Sequence, residues 1–324
     1  MQKQNKIIGG LTFIALVALV VAYFAPIWWV SLTAPNYPED AFPDGIRIHF
    51  HFDGVYNGCK AAGKNTRMGN EIIQQDIVGN EERYNPILDK QNNLDKNAEG
   101  LDCVHEMNTI NHYVGMFPIS TGAPVEKPLA KFFFGFFAVM MLAFTLPKKK
   151  PRVMALTAGF AAVAVWMMVD QFVLGHLESH VQQYMEDAGA FFKEPGKIGI
   201  WGDNVRLYSK IAIAGLIAVM AFVIAATAKI RPFQLLLALV PALLPVYFVI
   251  TYAGWLWFFG HNMHPWGAFT VKPFMPTVFG EGKVAQFSTF SYPYWGYGLL
   301  ILVFVCMMLA LLIRRKQLRE GEAE

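Results

Sequence analysis

Residues 7–29 read IIGGLTFIALVALVVAYFAPIWW, and this run without Asp, Glu, Lys or Arg decides the class of the protein. A helix needs about 20 mostly apolar residues to cross a bilayer, so the run predicts a transmembrane helix. Similar uncharged stretches recur along the chain. Together they predict an all-α membrane protein with six transmembrane helices. The predicted helices are 7–29, 129–147, 153–175, 208–228, 232–258 and 295–314.

The composition excludes several other classes of protein. The 324 residues are 55% hydrophobic and 16% charged, whereas soluble domains carry about 25% charged residues. A net charge of +3 gives no reason to expect a nucleic-acid partner. The three cysteines form no CxxC pair, which excludes the usual zinc-ribbon, ferredoxin and c-type haem motifs. No histidine lies inside a predicted span, so a haem between the helices is not expected either.

The distribution of basic residues predicts the topology. Clusters of Lys and Arg precede the first span, follow the sixth, and occupy the second-to-third and fourth-to-fifth connections. By the positive-inside rule, both termini are therefore expected in the cytoplasm of a bacterium, with the protein in the inner membrane. The first helix is interpreted as retained rather than cleaved as a signal sequence, with Trp28 and Trp29 anchoring it at the interface.

This topology divides the chain into predicted domains. All eight histidines fall in segments expected on the periplasmic side, so the chemistry is expected at the outer surface. The predicted division is a first transmembrane helix 1–30, an extracytoplasmic domain 31–128 with an insertion 54–101, a five-helix bundle 129–314 with outer loops 176–207 and 259–294, and a cytoplasmic tail 315–324.

The extracytoplasmic domain is expected to contain some β structure. Residues 46–53 alternate apolar and polar side chains, which predicts a strand. His49 and His51 would share its polar face with Arg47 and could bind a metal, although a solvated face is the favoured interpretation. The insertion 54–101 is polar and predicts a loop with at most a short helix near 70–78.

Cys59 and Cys103 bracket this insertion. In an oxidising outer compartment they are expected to form a disulfide, which is worth roughly 4 kcal/mol for a loop of this size. A copper thiolate is the alternative. Cys306 lies within the last predicted span and is interpreted as a small packing residue.

Two segments combine imidazole with thioether groups, the mixture that suits copper. The first contributes His105, Met107, His112 and Met116, and the second, directly after the fifth span, contributes His261, Met263 and His264. We expect the two segments to meet at the outer surface. The alternative is a hydrogen-bonded scaffold in which Asn108, Asn111 and His112 fix an irregular turn that a partner touches.

A third candidate site lies at the outer end of the third predicted span. Asp170 is an ionisable residue at a membrane helix, which by default makes it a functional candidate. His176 and His180 follow at a spacing of four and would share one helix face. The three residues form a candidate quinol or proton site. As a purely structural alternative, Asp170 would pair with Lys210 or Arg206.

Three segments carry a family resemblance. They are Trp28–Pro38, Glu106–Met116 and Gly260–Gly280, of which Asn-His-Tyr-x-Gly-Met at 111–116 is the most specific element. They resemble the NosB-like proteins, polytopic membrane proteins encoded beside nitrous oxide reductases of the Sec-exported clade II. The chain departs from that family's pattern between Cys59 and Cys103, so the resemblance implies no role for the insertion.

The resemblance implies association with a periplasmic copper enzyme, nitrous oxide reductase. The leading hypothesis is therefore an accessory or anchoring subunit, rather than an enzyme, that contacts membrane lipid and docks the reductase. It would also assist copper loading, and copper is the one candidate cofactor. The alternatives are a quinol-oxidising electron-transfer subunit and a structural subunit of another copper membrane enzyme.

Overall fold

The computed structural model describes residues 2–37, 42–59, 102–192, 194–265, 267–268, 271–284 and 286–321. Most of the insertion 54–101, including the helix predicted near 70–78, lies outside these residues. The chain forms two compact units. The helical unit comprises Met1–Ala25, Ala123–Thr251 and Trp295–Glu324, and the sheet unit comprises Pro26–Gly122 and Tyr252–Tyr294.

The described residues are mostly helical with one small sheet. The α-helices are α1 (Gln2–Phe24), α2 (Cys103–Tyr113), α3 (Glu126–Thr145), α4 (Lys149–Met168), α5 (His176–Phe191), α6 (Pro195–Lys229), α7 (Leu236–Ala242), α8 (Leu244–His261) and α9 (Trp295–Arg319). The strands are β1 (Trp28–Thr33), β2 (Ile46–Phe50), β3 (Val55–Asn57), β4 (Gly280–Val284) and β5 (Phe287–Pro293).

Several of these helices fit a multi-pass membrane protein. Within the described residues, five are long and apolar enough to cross a membrane: α1, α3, α4 with the turn that follows it, α6 and α9. A sixth span results if Arg231–Ala242 and α8 are counted as one, although they are bent by 53°. The continuous helix predicted at 232–258 is therefore wrong. Pro241 lies inside α7 and Pro245 is the second residue of α8, and proline cannot donate the amide hydrogen bond that a continuous helix needs.

The predicted outer loop 176–207 is instead mostly helical. It contains α5 and the first turns of α6, which begins at Pro195. Leu177 and Val181 are four residues apart and pack with Val205 in a small apolar cluster. Burying this shared apolar face stabilises both helices. The other residues of the segment are polar enough to resemble a loop, so the helical spacing of the apolar residues is not evident from the sequence.

The first helix ends five residues earlier than predicted. It stops at Phe24, and Trp28 and Trp29 begin β1 instead of anchoring the end of a helix. Pro26 disfavours helical backbone at the residue before it. The aromatic and β-branched side chains from Trp28 to Thr33 then favour a strand.

Within the part of the chain that the structure describes, the sheet has five antiparallel strands in the order β3-β2-β1-β5-β4. β1 is the central strand, because Val30 pairs with Ile48 on one edge and with Ser291 on the other. The predicted loop 259–294 thus belongs to the same unit as the predicted domain 31–128. The predicted division assigned these segments to a domain and to a loop of the bundle, whereas the structure pairs β1 with β5 across more than 250 positions, which leaves no local signal in the sequence.

One face of the sheet lines the interior of the unit. Val30, Leu32 and Ile48 from this face surround a cavity of about 90 Å³ together with Met107 and Ile110 of α2. Its walls are mainly apolar, with Asn111, Tyr252, Thr277 and Thr289 as the polar exceptions.

A disulfide attaches α2 to the edge of the sheet. Cys59 follows β3 and is bonded to Cys103, the first residue of α2, with the two Cα atoms 6.0 Å apart. The Asn57 side-chain oxygen accepts hydrogen bonds from the backbone amides of both cysteines, at 3.0 and 3.3 Å. The pairing is the one that the sequence predicts, and it leaves neither sulfur as a thiolate for copper. Cys306 is a buried free cysteine within α9.

Candidate functional site

The two His/Met segments meet in the sheet unit. The backbone amide of His264 donates to the carbonyl of Gly115 at 2.6 Å, and the amide of Ala268 donates to the carbonyl of Tyr113 at 2.7 Å. These bonds join the end of α2 to the turn after α8. The predicted convergence of the two segments is therefore confirmed.

Gly115 allows this close approach. Its φ of 80° lies in the left-handed region, and a Cβ atom there would collide with the carbonyl oxygen of His264. The Asn side chains of α2 fix the same turn: Asn108 accepts from the amide of Ile119 at 2.7 Å, and Asn111 donates to the carbonyl of Phe117 at 3.4 Å. The hydrogen-bonded scaffold predicted as the alternative to a metal site is thus present for both asparagines.

The sulfur-containing candidates lie in apolar surroundings. Met107 and Met116 line the cavity of the sheet unit. Met263 packs against the cluster of Val114, Met116 and Phe259. The thioethers of Met116 and Met263 therefore share one apolar cluster, whereas Met107 faces the cavity from the body of α2.

The imidazoles are more dispersed. His264 is buried and His112 half-buried, while His105 and His261 are exposed. The His261 ring lies on the Trp257 indole with centroids 4.5 Å apart, and its Nδ1 donates to the Trp257 carbonyl at 2.8 Å. Within the described residues, no three His, Cys, Asp or Glu side chains are close enough to hold a metal ion. Of the predicted copper set, Met116 and Met263 share one apolar cluster, while His112 and His264 lie in the two segments that the backbone bonds join.

The opposite face of the sheet carries a group of side chains that sequence reasoning did not single out. The guanidinium of Arg47 lies 4.2 Å from the Trp29 ring centroid and 5.5 Å from that of Tyr294. The His49 ring stacks on Tyr294 at 5.0 Å, and Trp29 lies 5.4 Å from Tyr292. All five side chains are half-buried. We call them the cation–aromatic face.

The alternation in residues 46–53 correctly places Arg47 and His49 on one face of β2, although β2 itself ends at Phe50. Their aromatic partners come from β1 and from the end of β5, which no local pattern joins to β2. Partial burial, with the charges of Arg47 and His51 nearby, lowers the pKa of His49 to about 4. His49 is therefore neutral at ordinary pH, which favours its stacking on Tyr294.

The helical unit contains the third candidate site. Asp170 is 5% exposed and lies in the π-helical turn Val169–Val173 that follows α4. Its Oδ1 accepts from Lys131 Nζ at 2.7 Å and from His176 Nδ1 at 3.0 Å, and its Oδ2 accepts from Gln171 at 2.7 Å. The arrangement is a buried carboxylate that accepts hydrogen bonds from three donors.

The predicted structural partners of Asp170 were wrong. Arg206 pairs with Glu178 and Asp203, and Lys131 of α3 takes the place beside Asp170. His180 also separates from His176, because its Nε2 donates to the Pro124 carbonyl at 2.7 Å. Burial lowers the pKa of His180, so this imidazole is a neutral donor that ties α5 to the segment before α3.

Protein-family models, curated proteins and solved structures provide no match to this chain.

The Gly115–His264 contact can be tested by substitution. Gly115→Ala places a methyl group against the His264 carbonyl and in a left-handed backbone conformation, so we expect a loss on the order of 2 kcal/mol in the free energy of unfolding. Thermal unfolding in detergent, followed by tryptophan fluorescence, measures the change. Gly254→Ala is the matched control, because a Cβ at that helical position of the same unit meets no atom within 4 Å. Equal midpoints for the two variants would contradict the close approach.

The neutral His49 makes stability depend on pH. Its unfolded-state pKa is the ordinary 6.5 and its folded-state pKa is about 4, so below 6.5 the unfolded chain binds a proton that the folded chain does not. Stability is therefore complete above that value and falls as the pH drops from 6.5 towards 4. With its partial exposure discounted, we expect a loss of about 1 kcal/mol at about pH 5.

Unfolding midpoints of the wild type and His49→Gln across this range measure the effect. The variant should lose this part of the pH dependence, while the contributions of other titrating groups are common to both proteins. Parallel curves for the two proteins would show that His49 does not titrate as described.

Proposed function

We propose that the chain is a membrane-anchored partner of a periplasmic copper reductase, nitrous oxide reductase by family resemblance, and that it docks this enzyme through the cation–aromatic face. The apolar helices support membrane anchoring. The positions of the basic clusters support an inner-membrane location with the sheet unit in the periplasm. The single observation that carries the docking role is the Arg47–Trp29–Tyr294 arrangement on one sheet face.

The composition of this face is that of a binding surface. Arg, Trp and Tyr dominate the residues that contribute most energy to protein interfaces. The strands beneath are paired on both sides of β1, so these side chains stand on a fixed backbone and lose little conformational freedom on binding. A surface that is already ordered binds more tightly than a flexible loop of the same composition.

Substitution of Arg47 tests the docking role. We expect Arg47→Ala to reduce the recovery of the reductase with the tagged full-length chain, because it removes the cation from between two aromatic rings. A hot-spot residue is worth at least about 2 kcal/mol, which corresponds to a loss of affinity of about thirtyfold. Recovery is measured with an antibody against the reductase after solubilisation of native membranes in mild detergent.

Two further variants make the result specific. Arg47→Lys keeps the charge but loses the planar stacking group, so it should give an intermediate loss. Trp257→Ala removes an exposed aromatic side chain of the same unit outside the sheet and should leave recovery unchanged. Wild-type recovery with a folded Arg47→Ala variant would refute docking through this face.

Copper loading is a second candidate function, favoured by the backbone bonds that join the two segments carrying His112, Met116, Met263 and His264. Imidazole and thioether groups bind Cu(I), and thioethers release it readily because they are weak ligands. No thiolate strengthens this set, which suits transfer better than storage. The same side chains would also serve a purely structural turn, so the test must separate copper transfer from complex formation.

For copper loading we expect His112→Ala and His264→Ala to lower the copper content of the reductase while its recovery with the chain stays at the wild-type level. Metal analysis of the captured reductase gives the copper content. His105→Ala is the control, because that imidazole is exposed on α2. Loss of the complex would assign these residues to the scaffold, and normal copper content in both variants would exclude transfer through them.

A further inference from the structure

The cluster around Asp170 differs from an ordinary structural ion pair. Lys131 alone would neutralise the carboxylate, yet His176 and Gln171 also donate to it. The cluster forms where the helix widens into a π-helical turn, and such turns are frequent at functional sites. The sequence places it at the end of a candidate span, Lys149–Val173.

The hydrogen bond to Asp170 orients His176 in a defined way. Nδ1 donates to the carboxylate, so the neutral ring carries its hydrogen on Nδ1 and presents Nε2 as an acceptor. The same bond makes Nε2 a better acceptor, as carboxylate–histidine pairs do elsewhere. The side chain of His176 is 55% exposed, whereas that of Asp170 is 7% exposed. The buried carboxylate thus positions an accessible imidazole acceptor.

The residues that precede this acceptor in the chain are apolar and exposed. Phe172, Val173 and Leu174 lie between Asp170 and His176 in the chain, and they are 44%, 76% and 61% exposed. Exposed apolar side chains at the end of a candidate span are suited to contact with lipid. A ligand that contacts both these side chains and Nε2 needs an apolar part and a hydrogen-bond donor such as a hydroxyl.

The charge of the cluster further limits the class of ligand that it can bind. Lys131 and Asp170 neutralise each other as an ion pair at 2.7 Å, so this pair offers no net positive charge to a lipid phosphate. A neutral aromatic hydroxyl attached to an apolar tail satisfies all of these conditions.

We propose that His176, positioned by Asp170, binds the headgroup of a quinol, a membrane-soluble dihydroxy aromatic. One quinol hydroxyl donates to His176 Nε2, and the ring and tail lie against Phe172, Val173 and Leu174. Asp170 is a positioning residue that touches the imidazole and not the ligand. The site does not depend on the docking role, because it lies within the helical unit and uses none of the sheet-unit residues.

The test uses the purified full-length chain in detergent and the fluorescent quinol analogue heptyl-hydroxyquinoline N-oxide, whose fluorescence is quenched when it binds. We expect saturable quenching with the wild type and about tenfold weaker binding with His176→Ala. Asp170→Asn keeps an oxygen acceptor for Nδ1 but removes the charge, so it should weaken binding less. Unfolding midpoints are measured on every variant, because a purely structural role for His176 would change stability without changing affinity for the probe.

Glu178→Gln is the matched control. Glu178 lies on the same helix as His176, two residues away, and its substitution breaks an ion pair with Arg206 of α6, so this variant should bind the probe like the wild type. Absence of quenching by the wild type would overturn the proposal. Unchanged affinity in a folded His176→Ala variant would overturn it as well, and would assign the cluster to the structure of the helical unit. If Asp170→Asn fails to fold, the exposed His176 variant still decides the question.

Discussion

β1 must be paired on both edges, and the sheet unit depends on this constraint. The strand runs from Trp28 to Thr33 and is apolar on the face that lines the cavity. Its backbone groups obtain hydrogen bonds from β2, which follows closely in the chain, and from β5, which ends at Pro293. A buried strand with one open edge would leave polar backbone groups without partners, at a cost comparable to that of lost hydrogen bonds. The sheet unit is therefore complete only when segments from both ends of the chain are present.

The limits of the sequence prediction follow from this same constraint. Long uncharged runs identify membrane helices because the thickness of a bilayer fixes their length. Alternation identifies β2 because one of its faces is apolar and the other polar. β1 and β5 lack that contrast: Trp28–Thr33 continues the apolar run of α1, and Phe287–Pro293 lies in an uncharged stretch that leads into α9. Both strands consequently look like extensions of membrane segments, and only their pairing reveals them.

The candidate sites, too, are only partly predictable from the sequence. Asp170 is identifiable from sequence because an ionisable residue at a membrane helix is rare and costly. Its partner Lys131 is not, since the two lie 39 residues apart on different helices. The cation–aromatic face was missed for the same reason, as Arg47, Trp29 and Tyr294 come from three parts of the chain. The sequence therefore predicts which single residues are functional candidates. Only the packing of helices and strands shows which of these residues lie together.

The histidines of this chain show how backbone geometry decides between a ligand and a structural role. His264 contributes its backbone amide to the contact with Gly115, His180 uses Nε2 on the Pro124 carbonyl, and His261 rests on Trp257. Each of these interactions fixes a turn or a helix end. His176 differs, because its structural bond is made through Nδ1 to a buried carboxylate while the rest of the ring is accessible. His261 is also exposed and held at Nδ1, but its acceptor is a backbone carbonyl, so the bond to a buried carboxylate is what distinguishes His176 from the other histidines.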